Sequence, residues 1–98
     1  MPTLRIEHAI TGIEPWKAAF DRFADVRRDA GVRRHRIHQP AGDQQYVLID
    51  LDFDTATEAE RFLVFLRERV WASPETAPAL VGTPTARLLH AVEEAPLP

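Results

Sequence analysis

YVLIDLDF, residues 46–53, is the stretch of this 98-residue sequence that most strongly constrains the fold. Its odd-numbered residues are all apolar, and its even-numbered residues include two aspartates, Asp50 and Asp52. Side chains of a strand point alternately to its two faces, so this pattern predicts a β-strand with one apolar face and one mixed, charged face. The apolar face must pack against other elements, which the flanking sequence has to supply.

Three other segments predict strands of the same sheet. Residues 3–10, TLRIEHAI, and residues 86–93, ARLLHAVE, alternate in polarity, and residues 32–38 are too few for a helix between Gly31 and Pro40. The opposite face of the sheet carries arginines and carboxylates, and it is either solvated or covered by a second subunit. The apolar side is predicted to consist of Leu4, Ile6, Val47, Ile49, Leu51, Leu88 and Val92.

Two segments have the spacing of amphipathic helices. The first opens at Glu14-Pro15, with proline suited to the first turn, and should end at Gly31, which favours a left-handed cap. The second starts in the stretch DTAT, residues 54–57, which can supply an N-cap, and it runs to about Val70, and one short helical turn is expected at 77–81. The order βαββαβ predicts one ferredoxin-like α+β domain over residues 1–98, with two helices covering one face of an antiparallel sheet.

The basic stretch GVRRHRIHQP, residues 31–40, holds three arginines and two histidines. His35 and His38 are three residues apart and point to opposite faces of a strand, so they are not predicted to bind one metal ion together. Arginines on both faces fit an edge strand guarded by charge against unwanted pairing, or an arginine at the rim of a pocket. The net charge of −3 and the aspartates of the third strand disfavour an RNA-recognition module of the same topology.

Composition narrows the function further. The chain has no cysteine, which excludes disulfides, thiolate catalysis and cysteine-based zinc sites. No stretch approaches the roughly 18 apolar residues of a membrane span, and the N-terminus does not resemble a signal peptide, so a cytoplasmic protein is expected. At this length a single core gains from burial against a partner, which makes a homo-oligomer plausible.

Four features together resemble small bacterial members of the dimeric α+β barrel superfamily. They are His8 near the end of the first strand, EPWKAAF (14–20) opening the first helix, YVLIDLDF, and RLLH (87–90) in the last strand. That superfamily includes cofactor-free antibiotic-biosynthesis monooxygenases, polyketide cyclases, muconolactone isomerases, haem-degrading enzymes and proteins of unknown role. The resemblance implies that two sheets close face to face into a homodimeric barrel, with a small-molecule pocket between each sheet and its own helices.

The resemblance to the polyketide-cyclase branch implies that His8 is a catalytic acid/base, a role that its ordinary pKa suits. The alternative is a core histidine that donates one hydrogen bond to the backbone. His90 is predicted on the same face of the neighbouring strand, but two histidines without a carboxylate make a poor metal site, and none is predicted. The haem-degrading branch is disfavoured because the second predicted helix has no histidine.

The remaining candidates fall into two groups. The substrate-binding group combines aromatic residues, which otherwise simply pack in the core, with one histidine. The interface group is expected to form an ion-pair network between the two sheets. The substrate-binding residues are Trp16, Phe20, Phe23, Trp71 and His90, and the interface residues are Tyr46, Asp50 and Arg87.

The sequence therefore predicts a small-molecule-binding homodimer. One reading is a cofactor-free enzyme of the cyclase, isomerase or monooxygenase type acting on an aromatic or polyketide-like substrate, with no metal and no organic cofactor. The other is a non-catalytic binding or structural dimer. Neither nucleic acid nor a membrane is expected as a partner.

Overall fold

A four-stranded antiparallel sheet with the strand order β2-β3-β1-β4 forms the framework of the structure, a computed structural model that describes residues 1–97. This order and the helices on one side confirm the predicted ferredoxin-like α+β fold. The elements are β1 (Thr3–Ile10), α1 (Ile13–Arg22), α2 (Ala24–Ala30), β2 (Val32–His38), β3 (Tyr46–Phe53), α3 (Ala56–Phe65), a π-helical turn (Leu66–Val70) and β4 (Leu80–Leu89).

The strand register assigns every side chain of the sheet to one of two faces. Leu4 lies opposite Leu51, and Ile6 opposite Ile49, and directly opposed residues of antiparallel strands share a face. This apolar face carries the core, and the helices cover it. The buried residues of the core are Leu4, Ile6, Ile10, Trp16, Val47, Ile49, Leu51, Phe53, Ala59, Phe62 and Ala79.

The first predicted helix is two helices. α1 ends at Arg22 because Phe23 leaves the helical region, with φ −99° and ψ 16°, and α2 continues from Ala24. The predicted end is confirmed, since Gly31 adopts φ 101° and caps α2 in the left-handed conformation. A Cβ at this position would also meet the carboxylate end of the Glu58 side chain, which would have to shift, but the positive φ is the reason that glycine is favoured here.

The start of the second helix is confirmed, and its end has an unpredicted form. Thr55 and Glu58 form a capping box, in which the hydroxyl of Thr55 accepts from the backbone N–H of Glu58 and the Glu58 carboxylate accepts from that of Thr55. After Phe65 the chain widens into the π-helical turn, with the Trp71 N–H donating to the Leu66 carbonyl at 2.7 Å. Such turns often occur at functional sites.

The predicted bounds of the fourth strand are wrong. β4 begins at Leu80, where a helical turn was expected, and it ends at Leu89. The register passes from Glu7 opposite Thr85 to Ala9 opposite Val81, so residues 82–84 form a bulge. β4 is an edge strand, and at an edge bulge a proline such as Pro84 displaces no ladder hydrogen bond.

Two residues predicted for the apolar face are not buried in the core. Val92 lies beyond the sheet and is 93% exposed, so its assignment to the core is wrong. Leu88 lies opposite Leu4 on the correct face, but it is exposed at the edge of the sheet.

Candidate ligand-binding site

A cavity of about 80 Å³ lies between the apolar face of the sheet and the helices that cover it. Strands β1 and β3 form its floor, α1, α2 and α3 its sides, and the residues after the π-helical turn close it. Five of the predicted site residues, namely His8, Trp16, Phe20, Phe23 and Trp71, line this cavity. Their predicted roles stay predictions, but the fold brings these residues together.

Aromatic stacks make the walls flat and apolar. Trp16 stacks on Phe20 with ring centroids 5.0 Å apart, and Phe62 stacks on Phe65 at 5.7 Å. Flat aromatic walls favour flat aromatic ligands, because stacked rings gain more than their area burial alone provides. Few polar side chains reach this surface, so each of them defines a chemical property of the site.

His8 is the polar group of the cavity floor, and only 6% of its surface is exposed. Its Nδ1 lies 3.0 Å from the carbonyl oxygen of Ala9. Because a carbonyl can only accept, Nδ1 carries the proton of the neutral ring, and Nε2 has a free lone pair. No fully buried side-chain nitrogen or oxygen in residues 1–97 lacks a hydrogen-bond partner, and Nε2 makes no hydrogen bond there, so Nε2 is not fully buried and keeps some accessible surface on a residue that lines the cavity.

Burial lowers the pKa of His8 below its ordinary value, and the hydrogen bond to Ala9 opposes this shift only in part. Desolvation disfavours the charged imidazolium, which is the physical cause of the shift. At neutral pH the ring is therefore uncharged, with Nε2 as a proton acceptor inside an apolar cavity. This arrangement agrees with the alternative that His8 is a core histidine with one hydrogen bond to the backbone. It also leaves the second ring nitrogen, Nε2, free to accept a proton.

The lowered pKa of His8 predicts an acid-sensitive fold. The unfolded chain takes up a proton near pH 6.5 and the native chain does so only at lower pH, so the free energy of unfolding should fall as the pH drops below about 6.5. The change is measured as the urea midpoint between pH 7.5 and 5. The pKa of His35 is also lowered, chiefly by burial, so both His8→Gln and His35→Gln should flatten the slope. An unchanged slope in the His8 variant would contradict the assignment.

Arg27 is a cavity residue that the sequence reasoning missed. It is 7% exposed, its Nη1 donates to the carbonyl of Phe20, and its guanidinium carbon lies 3.5 Å from the Phe20 ring centroid. Burial lowers its pKa, although an arginine stays charged at any physiological pH. The sequence did contain a sign that Arg27 faces inward, because position 27 continues the helical spacing of Trp16, Phe20 and Phe23.

The structure does not bring His90 to the cavity. β4 ends at Leu89, so the prediction that His90 lies on the helix-facing side of this strand is wrong. His90 is exposed beside a polar hollow of about 290 Å³ on the other face of the sheet, which Arg5 and Asp50 also line. The two histidines therefore do not share a pocket.

The second face of the sheet carries an ion-pair network. Nε and Nη2 of Arg5 donate to the two carboxylate oxygens of Asp50 at 2.8 and 2.9 Å. Arg36 donates to both oxygens of Asp52 at 2.8 and 3.0 Å, and the Thr3 hydroxyl adds a bond of 2.6 Å. Hydrogen bonds from the arginines lower the pKa of both aspartates below the ordinary value. These carboxylates are thus charged and held in place over the whole physiological range.

All three predicted interface residues lie on this charged face. The Tyr46 hydroxyl donates to Glu7 at 3.2 Å, and Asp50 belongs to the network. Arg87 lies directly opposite Arg5 in the register, is exposed, and forms no ion pair within residues 1–97. Like charges directly opposite each other are unfavourable, so a further carboxylate placed next to Arg87 would stabilise this part of the sheet.

The described residues form neither a metal site nor a membrane-spanning helix. His35 lies opposite Leu51 and His38 opposite Leu48, so they point to opposite faces as predicted. In residues 1–97 no three side chains of His, Cys, Asp or Glu are grouped to hold a metal ion. Across the same part of the chain, none of the helices has the length and apolarity needed to cross a membrane.

The fold and the cavity define a ferredoxin-like α+β protein with an apolar cavity under its helices. No protein-family profile and no curated protein matches the sequence. Several solved structures match the fold. The resemblance to dimeric α+β barrel proteins that the sequence suggested is confirmed by these likenesses at the level of the fold.

SnoaB, a cofactor-independent oxygenase from Streptomyces nogalater, superposes with a TM-score of 0.70 at 16% identity, over 98% of this chain and 97% of that chain. A monooxygenase from ActVA-Orf6 of Streptomyces coelicolor, in complex with nanaomycin D, gives 0.65 at 17% identity over 99% and 91%. A dimeric ferredoxin-like protein from an uncultured marine organism gives 0.62 at 13% identity over 99% and 100%. At such identities the likeness establishes the fold, and function has to be argued from the site.

Proposed function

We propose that this protein is a homodimeric, cofactor-free enzyme that binds an aromatic or polyketide-like molecule under its helices and transfers a proton through His8. The observation that carries the proposal is the free Nε2 of a neutral, buried histidine in a cavity with aromatic walls. The likeness to a cofactor-independent oxygenase and to a monooxygenase that binds nanaomycin D supports the same reading.

The proposed chemistry follows from the protonation state of His8. Nε2 accepts a proton from an acidic O–H or C–H group of the bound molecule, and the imidazolium then returns it to another position. The apolar surroundings favour this return, because they disfavour the charged ring. Cyclisation, isomerisation and cofactor-free oxygenation all begin with removal of a proton from the substrate, so the site suits each of them.

The proposed dimer rests on the charged face of the sheet. The single chain exposes 6628 Å², whereas a monomer of 11.1 kDa should expose about 5,700 Å². Part of the surplus comes from the exposed residues 90–97, and the rest fits a flat molecule of 41 × 32 × 21 Å with one side of its sheet uncovered. A second copy would cover that side and offer carboxylates to Arg87. The likeness to a dimeric ferredoxin-like protein supports this assembly.

Native mass spectrometry and tryptophan fluorescence together test the proposal. The chain has two tryptophans and both line the cavity, so a bound aromatic ligand should quench the emission of the protein. We expect a mass of twice 11.1 kDa and saturable quenching by nanaomycin D, with a smaller amplitude in the Trp71→Phe variant, which loses one reporter. A monomer, or quenching that rises linearly as it does for free tryptophan, would contradict the proposal.

The size of the cavity favours a second candidate, a non-catalytic binding or structural dimer. Pockets for drug-sized ligands usually measure about 300–1,000 Å³, well above the 80 Å³ found here, so a polycyclic ligand needs movement of side chains such as Trp71 or Phe65. A dimer without saturable quenching would select this candidate. A dimer that binds the ligand but shows no proton transfer would leave a binding protein.

A further inference from the structure

We infer that the ligand of this cavity is an anion, namely an aromatic molecule with a carboxylate or another anionic oxygen group, and that Arg27 is its counter-ion. The inference rests on the proposed function, because it takes the cavity to be a ligand site. It adds the charge of the ligand and the residue that selects it. The aromatic walls and His8 alone would be compatible with a neutral ligand, and they do not involve Arg27.

The first observation is that Arg27 is a buried cation without an ion-pair partner. It is 7% exposed, and it forms no ion pair within residues 1–97. The charge of Asp21 on α1 raises the pKa of Arg27 and so offsets part of the burial effect. Asp21 lies outside ion-pair distance of Arg27, however, and it is engaged by Lys17, whose Nζ lies 2.6 and 2.8 Å from its two carboxylate oxygens. A buried charge is normally paired, because an unpaired one is strongly unfavourable.

The second observation is the number of unused donors. A guanidinium has five N–H groups, and within residues 1–97 Arg27 uses one of them in a hydrogen bond, to the Phe20 carbonyl. That bond ties α2 to the last turn of α1 and explains one donor. The contact with the Phe20 ring offsets part of the missing charge partner through a cation–π interaction. The other donors meet no carboxylate, and the residue that carries them lines the cavity.

The third observation is the order of groups along the wall. The His8 ring lies 6.3 Å from Trp16, Trp16 stacks on Phe20, and Arg27 lies against Phe20. A flat ligand that runs along this row of cavity residues would therefore have a proton acceptor near the His8 end and a guanidinium near the Arg27 end. Guanidinium forks match carboxylates with two parallel hydrogen bonds, which gives selectivity as well as affinity.

The test compares two ligands of nearly equal shape and different charge, 2-naphthoate and 2-acetonaphthone, by isothermal titration calorimetry. The protein should bind naphthoate tighter than the ketone by about tenfold to a hundredfold, the usual worth of a hydrogen bond to a charged group. Arg27→Gln should remove this preference by weakening naphthoate alone. Arg28→Gln is the matched control, since Arg28 is exposed on the same helix and pairs with Asp25, and it should leave both affinities unchanged.

Each outcome of this test decides something. Equal affinity of the unmodified protein for the two ligands would overturn the anion site and leave the proposed function standing. Binding of neither would overturn both. Equal weakening of both ligands by Arg27→Gln would show that Arg27 only ties α2 to α1. If that variant does not fold, Arg27→Lys keeps the charge without the fork, and it should retain part of the preference for naphthoate; loss of all preference in a folded lysine variant would contradict a counter-ion role.

Discussion

Replacing Asp50 by alanine is expected to lower the free energy of unfolding by about 2–3 kcal/mol, somewhat below the 3–5 kcal/mol typical of breaking a buried ion pair. Its carboxylate is 8% exposed and accepts two hydrogen bonds from Arg5, and Arg36 approaches it at 3.7 Å. Without Asp50 these two guanidinium groups and Arg87 share one face with less opposing charge. The Arg5 side chain is 43% exposed, so water screens part of the loss.

Asp54→Ala provides the matched control for this prediction. Asp54 also pairs with an arginine of β2, with Nη2 of Arg33 at 2.7 Å, but both side chains are about half exposed. Exposed pairs contribute about 1 kcal/mol at most. Urea unfolding of the two variants at one protein concentration measures the difference, and equal losses would show that burial of the Arg5–Asp50 pair contributes nothing beyond a surface ion pair.

The pH dependence of the same variants separates charge from packing. The arginine hydrogen bonds hold the pKa of Asp50 below its usual 3.8, so its stabilising effect is complete above that pH and is lost as the pH falls through the lower, native pKa. The difference in the free energy of unfolding between the unmodified protein and Asp50→Ala should therefore become smaller in strong acid. If the charged face is the dimer interface, this difference should also increase with protein concentration, because dimerisation stabilises the unmodified protein more than the variant.

The three strands of the sheet that could be predicted from the sequence are those whose polarity alternates over their whole length or whose ends are marked by turn residues. β1, β2 and β3 have the predicted bounds, because the alternation in Leu4, Ile6 and the 46–53 stretch directly reflects burial on one face. The charged face was equally accessible to prediction. Asp50 was expected to take part in an ion-pair network, and the register places it beside Arg5 and Arg36.

The elements that could not be predicted are those in which tertiary contacts outweigh local propensity. Pro84 and Gly82 are typical of a loop, and only the pairing of an edge strand through a bulge allows them inside β4. No residue pattern marks Phe23 as a break or the π-helical turn as a widening of α3. Both alter which side chains reach the cavity, so the errors concern the site more than the fold.

Some residues of the candidate site could be predicted from the sequence, and others could not. His8 and the aromatic residues were found because strand alternation and helical spacing place them on the covered face. Arg27 was missed because a charged residue on a helix is usually solvent-exposed, although its spacing from Phe23 and Phe20 pointed inward. His90 was misplaced because its face depended on strand bounds that the sequence did not reveal.

Replacing His8 by glutamine is expected to reduce proton transfer by about 10²–10⁴-fold, the usual contribution of a positioned general base. The measurement is deuterium exchange, followed by NMR in D₂O, at the benzylic carbon of 2-tetralone, an aromatic ketone with an acidic C–H group. Exchange requires only removal and return of a proton, so the assay needs no oxidant and no knowledge of the natural substrate. Glutamine is close to histidine in size and has no basic nitrogen.

The pH profile and a control variant connect this loss to Nε2. Because burial holds the pKa of His8 below 6.5, the exchange rate should rise with pH in the acid range and level off before neutrality. His90→Gln changes an exposed histidine outside the cavity and should exchange 2-tetralone as fast as the unmodified protein. If the unmodified dimer binds 2-tetralone and exchanges it no faster than buffer, His8 is a core histidine with one backbone bond, and the protein is the non-catalytic dimer.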